Sequence, residues 1–175
     1  MEFDKTTQDA LKLIHEGNHI IFREVGRVCE KYHLNYFLDS GNLIGAVREK
    51  SDIPWDDDAD IAMTRKDFEV FRKVARTELK DGFVYVEPDE LNGAFYDFVP
   101  RVVMLDSTMR ENNAEQKYYG NGIHNHMRTD IFIVDDVSDN MLKHKFCHAL
   151  FLCMACAWDA VISLTFQSIR VHLRQ

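Results

Sequence analysis

Cysteine is scarce in this 175-residue chain, and Cys29, Cys147, Cys153 and Cys156 follow no spaced framework. A disulfide-stapled secreted domain is therefore not expected, and the thiols read as reduced. Positive charge is also short. Twenty-one Lys and Arg face 29 Asp and Glu, giving a formal net charge of −8. The basic residues are scattered, which argues against a nucleic-acid partner that would need a basic surface to offset phosphate charge. The opening MEFDKTTQDA lacks an apolar run, so neither a secretory signal nor a first transmembrane segment is expected, and a cytoplasmic location is. No internal repeat or low-complexity tract interrupts the chain. Its 46% apolar content suits one domain with a real core.

What the sequence does have is concentrated between Tyr36 and Met63, YFLDSGNLIGAVREKSDIPWDDDADIAM. Tyr36, Phe37 and Leu38 read as a buried strand stopped by the turn residues Asp39, Ser40 and Gly41. A helix from Leu43 to Arg48 should follow, capped by Asn42 or Ser40. Its free N–H groups would seat phosphate oxygens, with Gly41 allowing close approach. Arg48, a little over one turn further on, would serve the same phosphates. Asp58 and Asp60 flank Ala59 at a strand start, and at spacing two they share a face. Like charges so close raise each other's pKa unless a cation sits between them, and hard oxygen ligands suit Mg2+ or Mn2+. The competing reading is a solvated acidic loop of Asp56, Asp57, Asp58 and Asp60.

SGNLIGAVREKSDIPWDDDADIAMTRKDFEVF resembles the signature of the LicD family, within the polymerase-beta-like nucleotidyltransferase superfamily. Gly41, Leu43, Gly45, Ala46, Val47, Arg48, the run Ile53 to Asp58, Asp60 and Ile61 match its pattern, while Asn42 stands where threonine is usual. The resemblance implies an α/β (α+β) nucleotidyltransferase fold, a mixed β-sheet flanked by helices. It also implies a third acid from a later strand, and Asp130 in TDIFIVD is the candidate, so that Asp58, Asp60 and Asp130 would be both catalytic and metal-binding. Removing any one of these crowded acids is expected to relieve repulsion in the metal-free protein. Arg101 resembles a recurring basic residue of the family, pairing with a phosphate or with a metal-ligating acid. A salt bridge to Asp97 or Asp106 is the alternative. Trp55 could pack on a quaternary ammonium or a base, or could anchor the Pro54 turn. By resemblance the activity is transfer of a phospho-alcohol, phosphocholine from CDP-choline, to a sugar of a cell-surface glycan. Ribitol phosphate or another phospho-polyol, nucleotidyl transfer, and a silent nucleotide-binding or interaction module remain as alternatives.

Around this centre, apolar residues from Leu11 to Cys29 recur at three- and four-residue steps, which predicts a long helix over 7–32 with Thr6 or Thr7 as cap. Gly17 and Gly26 mark a bend or close packing, and His15 and His19 lie one turn apart. Thr64 should cap a helix over 65–79, followed by strands over 83–86 and 95–105 with a turn over 88–93. Residues 107–128 form a long polar connection that resembles a flap. The tail 139–175 carries an apolar stretch read as a buried helix, with interfacial or partner contact, including a homodimer, as alternatives. Cys153 and Cys156 read as helix packing in preference to a zinc site. The chain thus divides into a catalytic core over 1–138 and a C-terminal helical segment. The resemblance spans roughly 7–140, and the family's usual downstream segment is expected to be absent, shortened or supplied by another chain.

Overall fold

The computed structural model describes residues 5–88, 90, 99–107, 123 and 125–172, with side chains as far as 157 in the last helix. The chain separates into two compact units, Met1–Val134 and Asp135–Gln175. The first unit begins with α1 (Lys5–Lys31), whose Ile21, Val25, Val28 and Cys29 are fully buried. The helix is already running at Lys5, so Thr6 and Thr7 lie inside it and do not cap it. Lys, Gln, Ala and Leu around them favour continuation once a helix is nucleated. Neither glycine interrupts it. A Cβ at Gly17 would sit 2.5 Å from Met127 Sδ, and one at Gly26 would sit 2.7 Å from Tyr36 Oη. Both positions are places of close packing.

Strand β1 (Phe37–Leu38) is followed by α2 (Ser40–Ile44), which widens into a π-helical turn at Gly45–Glu49. β2 (Asp60–Thr64) leads into α3 (Arg65–Glu78), where the Thr64 hydroxyl accepts from the Asp67 N–H as expected of a cap. β3 (Phe83–Val86), β4 (Arg101–Met104) and β5 (Met127–Val134) complete a five-stranded mixed sheet in the order β1-β2-β5-β4-β3. Only β2 and β5 run parallel, with Asp60 opposite Asp130. Most of the 88–93 turn, residues 95–98 of the 95–105 strand and most of the 107–128 connection lie outside the described residues.

Alternation along the strands decides what each face of the sheet does. Ile61, Met63, Ile131, Val102 and Tyr85 join Ile21, Val25, Val28, Phe68 and Phe71 in one core, so α1 and α3 cover that face. The intervening residues, Asp60, Asp130 and Arg101, belong to the opposite face. β1 departs from expectation. Tyr36 and Phe37 are 37% and 45% exposed, because β1 pairs only with β2 and forms the sheet's edge.

In the second unit, α4 (Met141–His172) starts where the Asn140 side chain accepts from the Leu142 and Lys143 N–H groups. Its described apolar side chains are exposed, among them Leu142, Phe146 and Phe151. As far as residue 157 the expected burial is not observed, and the remainder of the apolar stretch lies outside the described side chains. Cys147, Cys153 and Cys156 are exposed free thiols. No helix among the described residues is long and apolar enough to cross a membrane.

Candidate functional site

The segment from Asp56 to Asp60 is fixed by its own backbone before any side chain is considered. Asp130 N–H donates to Ala59 O at 2.8 Å and Asp39 N–H to Asp60 O at 3.1 Å, tying the segment to β5 and to the β1 turn. Asn42 binds it twice, accepting from Asp60 N–H at 2.7 Å through Oδ1 and donating to Asp58 O at 3.4 Å. From α1, Asn18 donates to Asp58 O at 3.1 Å and His15 Nε2 contacts Asp56 O at 2.8 Å. Ser40, held at φ 47°, is in the left-handed region that non-glycine residues rarely adopt. Such local strain persists only where surrounding structure over-determines it.

Asp58, Asp60 and Asp130 line one pocket of about 150 Å³, together with Ile14, Asn18, Asp57, Ala59, Met127 and Arg128. Among the described residues, the three carboxylates with oxygens within 4.8 Å of one another are Asp56, Asp57 and Asp58. Burial first, then the Asp130 charge, pushes the Asp60 carboxyl up to about 6, although the Ser40 hydroxyl opposes the shift. Asp58 is raised too, by lost hydration and then by Asp57 and Asp56, with Arg128 offsetting part of the effect. Asp130 is in a different position. Arg101, buried at 5% side-chain exposure, donates from Nε to its Oδ1 at 2.7 Å, and Arg128 Nε stands 3.7 Å from the same oxygen. Among the described residues Arg101 pairs with an acid of the candidate site, while Asp97, one of the alternative partners, lies outside them. Loss of Asp130 would relieve the repulsion it exerts on Asp60 and Asp58, and would also break the buried ion pair with Arg101.

The remaining sequence candidates are placed differently. Arg48 is exposed and pairs with its neighbour Glu49 at 2.6 Å, away from the pocket lining. The expected α-helix over 43–48 is replaced here by a π turn, whose extra residue per turn rotates Arg48 away. The helix start also differs. Its N-cap is Asp39, without a side-chain cap bond, so Ser40 and Asn42 do not cap it. Nor is the space over Gly41 open for a ligand, because a Cβ there would lie 1.9 Å from Asp56 Oδ2. Gly41 makes room for an acid of the chain itself. Trp55 is 61% exposed, which rules out the buried turn anchor, and it does not line the pocket. Arg128 and Asn18 were not picked out from sequence, and His15 was noted only for lying one turn from His19. Arg128 carries a signal in retrospect, a basic residue two positions before Asp130 in a strand and hence on its face. The helix residues carry none, since their partners are 40 and 41 positions away.

Residues 33–152 match the family described as LicD/FKTN/FKRP, nucleotidyltransferase domain. The chain belongs to the LicD family. It is 31% identical over 125 residues to the lipopolysaccharide cholinephosphotransferase LicD of Haemophilus influenzae, which covers 67% of this chain and 44% of that protein. An uncharacterized protein of Rickettsia typhi is 33% identical over 54 residues, covering 31% of this chain and 18% of its own length. Another, from Rickettsia prowazekii, is 36% identical over 47 residues, covering 27% and 18%. The chain thus spans less than half the length of each of these relatives.

Proposed function

We propose that this protein is a transferase of the nucleotidyltransferase superfamily that moves phosphocholine from CDP-choline to a sugar hydroxyl of a cell-surface glycan precursor, with Mg2+ or Mn2+ bound, on the cytoplasmic side of the membrane. The observation that supports this reading is that Asp58, Asp60 and Asp130 line one pocket with Arg128, in a chain of the LicD family. Phosphocholine as the group moved and a lipopolysaccharide-type acceptor are suggested by the name of the Haemophilus relative, and the CDP-linked donor by the family resemblance.

The donor set fits a hard divalent cation. Every candidate ligand is a carboxylate oxygen, and the crowding that holds Asp60 at about 6 is what a bound cation would relieve. Asp58, Asp60 and Asp130 would hold it, and when bound it would neutralise charge on the donor diphosphate. Arg101 orients the Asp130 carboxylate by donating to its Oδ1 at 2.7 Å. Arg128 supplies positive charge at the pocket for the departing cytidine phosphate. The acceptor oxygen bonds to phosphorus as the bond to the CMP oxygen breaks. The hydroxyl proton passes to a pocket carboxylate and CMP leaves as the anion.

Calorimetric titration with CDP-choline, CDP-ribitol and CTP, with Mg2+ and with chelator, tests donor choice, and CMP release with sugar acceptors tests turnover. Magnesium-dependent binding of CDP-choline above the other two is expected. Binding of none of them, or CMP release undiminished in Asp60→Asn, would overturn the reading.

A further inference from the structure

His15, Asn18 and His19 stand at the i, i+3 and i+4 positions of α1, so they share one face of the helix. All three meet the same stretch of chain. His15 Nε2 lies 2.8 Å from Asp56 O, the Asn18 carboxamide donates to Asp58 O at 3.1 Å, and His19 pairs with the Asp52 carboxylate at 3.1 Å. The three contacts differ in weight. Asn18 is only 3% exposed and lines the pocket, whereas the side chain of His19 is 50% exposed and its ion pair is screened by water. A carbonyl only accepts, so His15 must carry its proton on Nε2, a form available to both the neutral ring and the imidazolium.

We propose that Asn18 and His15 are positioning residues, through which α1 fixes the acidic segment ahead of β2 and so presents Asp58 and Asp60 to a divalent cation. This rests on the metal reading given above. The segment needs such support because the Asp56, Asp57 and Asp58 carboxylates are mutually repulsive and precede the first ladder residue of β2. Without Asn18, the only side chain among the described residues still donating to Asp58 O would be Asn42, at the longer 3.4 Å. The backbone groups behind a ligand set control affinity much as the ligands do, and losing such a partner typically weakens metal binding about 10- to 100-fold. The family match begins at residue 33, so α1 lies outside it and the role comes from this structure.

The test compares the full chain with Asn18→Leu, which is nearly isosteric, with His15→Leu and His15→Gln, and with His19→Ala as control. Mn2+ affinity is followed by electron paramagnetic resonance, and amide hydrogen exchange is measured without metal. Asn18→Leu should bind Mn2+ about tenfold or more weakly, with faster exchange confined to the segment around Asp58 and Asp60 and none gained in α3. His15→Leu should shift the same way, His15→Gln should recover because its amide restores a donor, and His19→Ala should match the parent. Parent-like Mn2+ binding and exchange in Asn18→Leu, or exchange raised equally throughout the sheet and α3, would overturn the proposal. If Asn18→Leu does not fold, the His15→Leu and His15→Gln pair decides it. A parent that binds no Mn2+ would instead remove the metal reading, while the exchange data would still show whether α1 holds the segment.

Discussion

Asp60→Asn should make the metal-free protein more stable at neutral pH. The carboxyl of Asp60 stands at about 6 in the folded chain, against 3.8 for the ordinary group, because burial and Asp130 penalise its ionised form. A folded-state pKa above the unfolded one means that the native state binds the proton more tightly, so ionisation costs stability as pH rises. The cost is absent below about 3.8, grows through the interval up to about 6 and is complete above it. A rise of this size corresponds to about 3 kcal/mol at most. Asp60 faces a water-accessible pocket, so screening reduces the usable figure to about 1–2 kcal/mol. For a chain of this length that is a gain of roughly 2–8 °C in Tm. Thermal melts in chelator at pH 7.5 and pH 5 check the sign, since the advantage of the variant should shrink at the lower pH. Added Mn2+ should then reverse the order. At a hundred times its Kd, a ligand stabilises the parent by about 2.7 kcal/mol, and the variant should lose most of that. A variant less stable than the parent at pH 7.5, or an advantage unchanged between the two pH values, would refute the electrostatic account of the pocket.

Asp130→Asn should go the other way, losing about 2–3 kcal/mol in chelator by urea denaturation, because it leaves Arg101 buried with its ion pair broken. Gly45→Ala should cost about 1–3 kcal/mol in the same measurement, since its Cβ would meet the Ser51 carbonyl oxygen at 2.6 Å and the Ile53 nitrogen at 3.2 Å, both backbone atoms that cannot swing aside. Arg128→Ala should leave Tm within about 2 °C of the parent, given its partly exposed side chain, yet weaken CDP-choline binding about tenfold by calorimetry.

The parts of this structure that were legible in the sequence are those whose cause is local. Thr64 three residues before Asp67 specifies a cap, and the apolar face of α3 follows from Phe68, Phe71 and Ala75 at helical spacing. Asp130 as a third acid from a later strand was readable through the family pattern and not through spacing, because 70 residues separate it from Asp60, while its parallel register opposite Asp60 comes from the structure. What stayed hidden depends on rotation or on distant contact. Arg48 was assigned by counting α-helical turns from Gly41, and one π turn was enough to redirect it. Gly41 was read as room for a ligand, although its neighbour in space is Asp56, whose approach no local rule encodes. The exposure of Phe37 depends on β1 being an edge strand, a property of sheet order that the two residues themselves do not carry.

The contrast between Asp60 and Asp130 also bears on how a donor could enter. The pocket lining holds four carboxylates, Asp57, Asp58, Asp60 and Asp130, and one guanidinium, Arg128, while Arg101, on the same sheet face, pairs with Asp130. A diphosphate approaching that arrangement meets net negative charge in a partly dehydrated site, where repulsion is stronger than in water. Arg101 and Arg128 both stand against Asp130, at 2.7 and 3.7 Å, so their charge is engaged in holding the acids. A divalent cation held by Asp58 and Asp60 would reverse the local sign and give phosphate oxygens a counter-charge at the bottom of the pocket. The acids therefore make sense as a metal seat that precedes the donor, and chelator should abolish donor binding and not merely turnover.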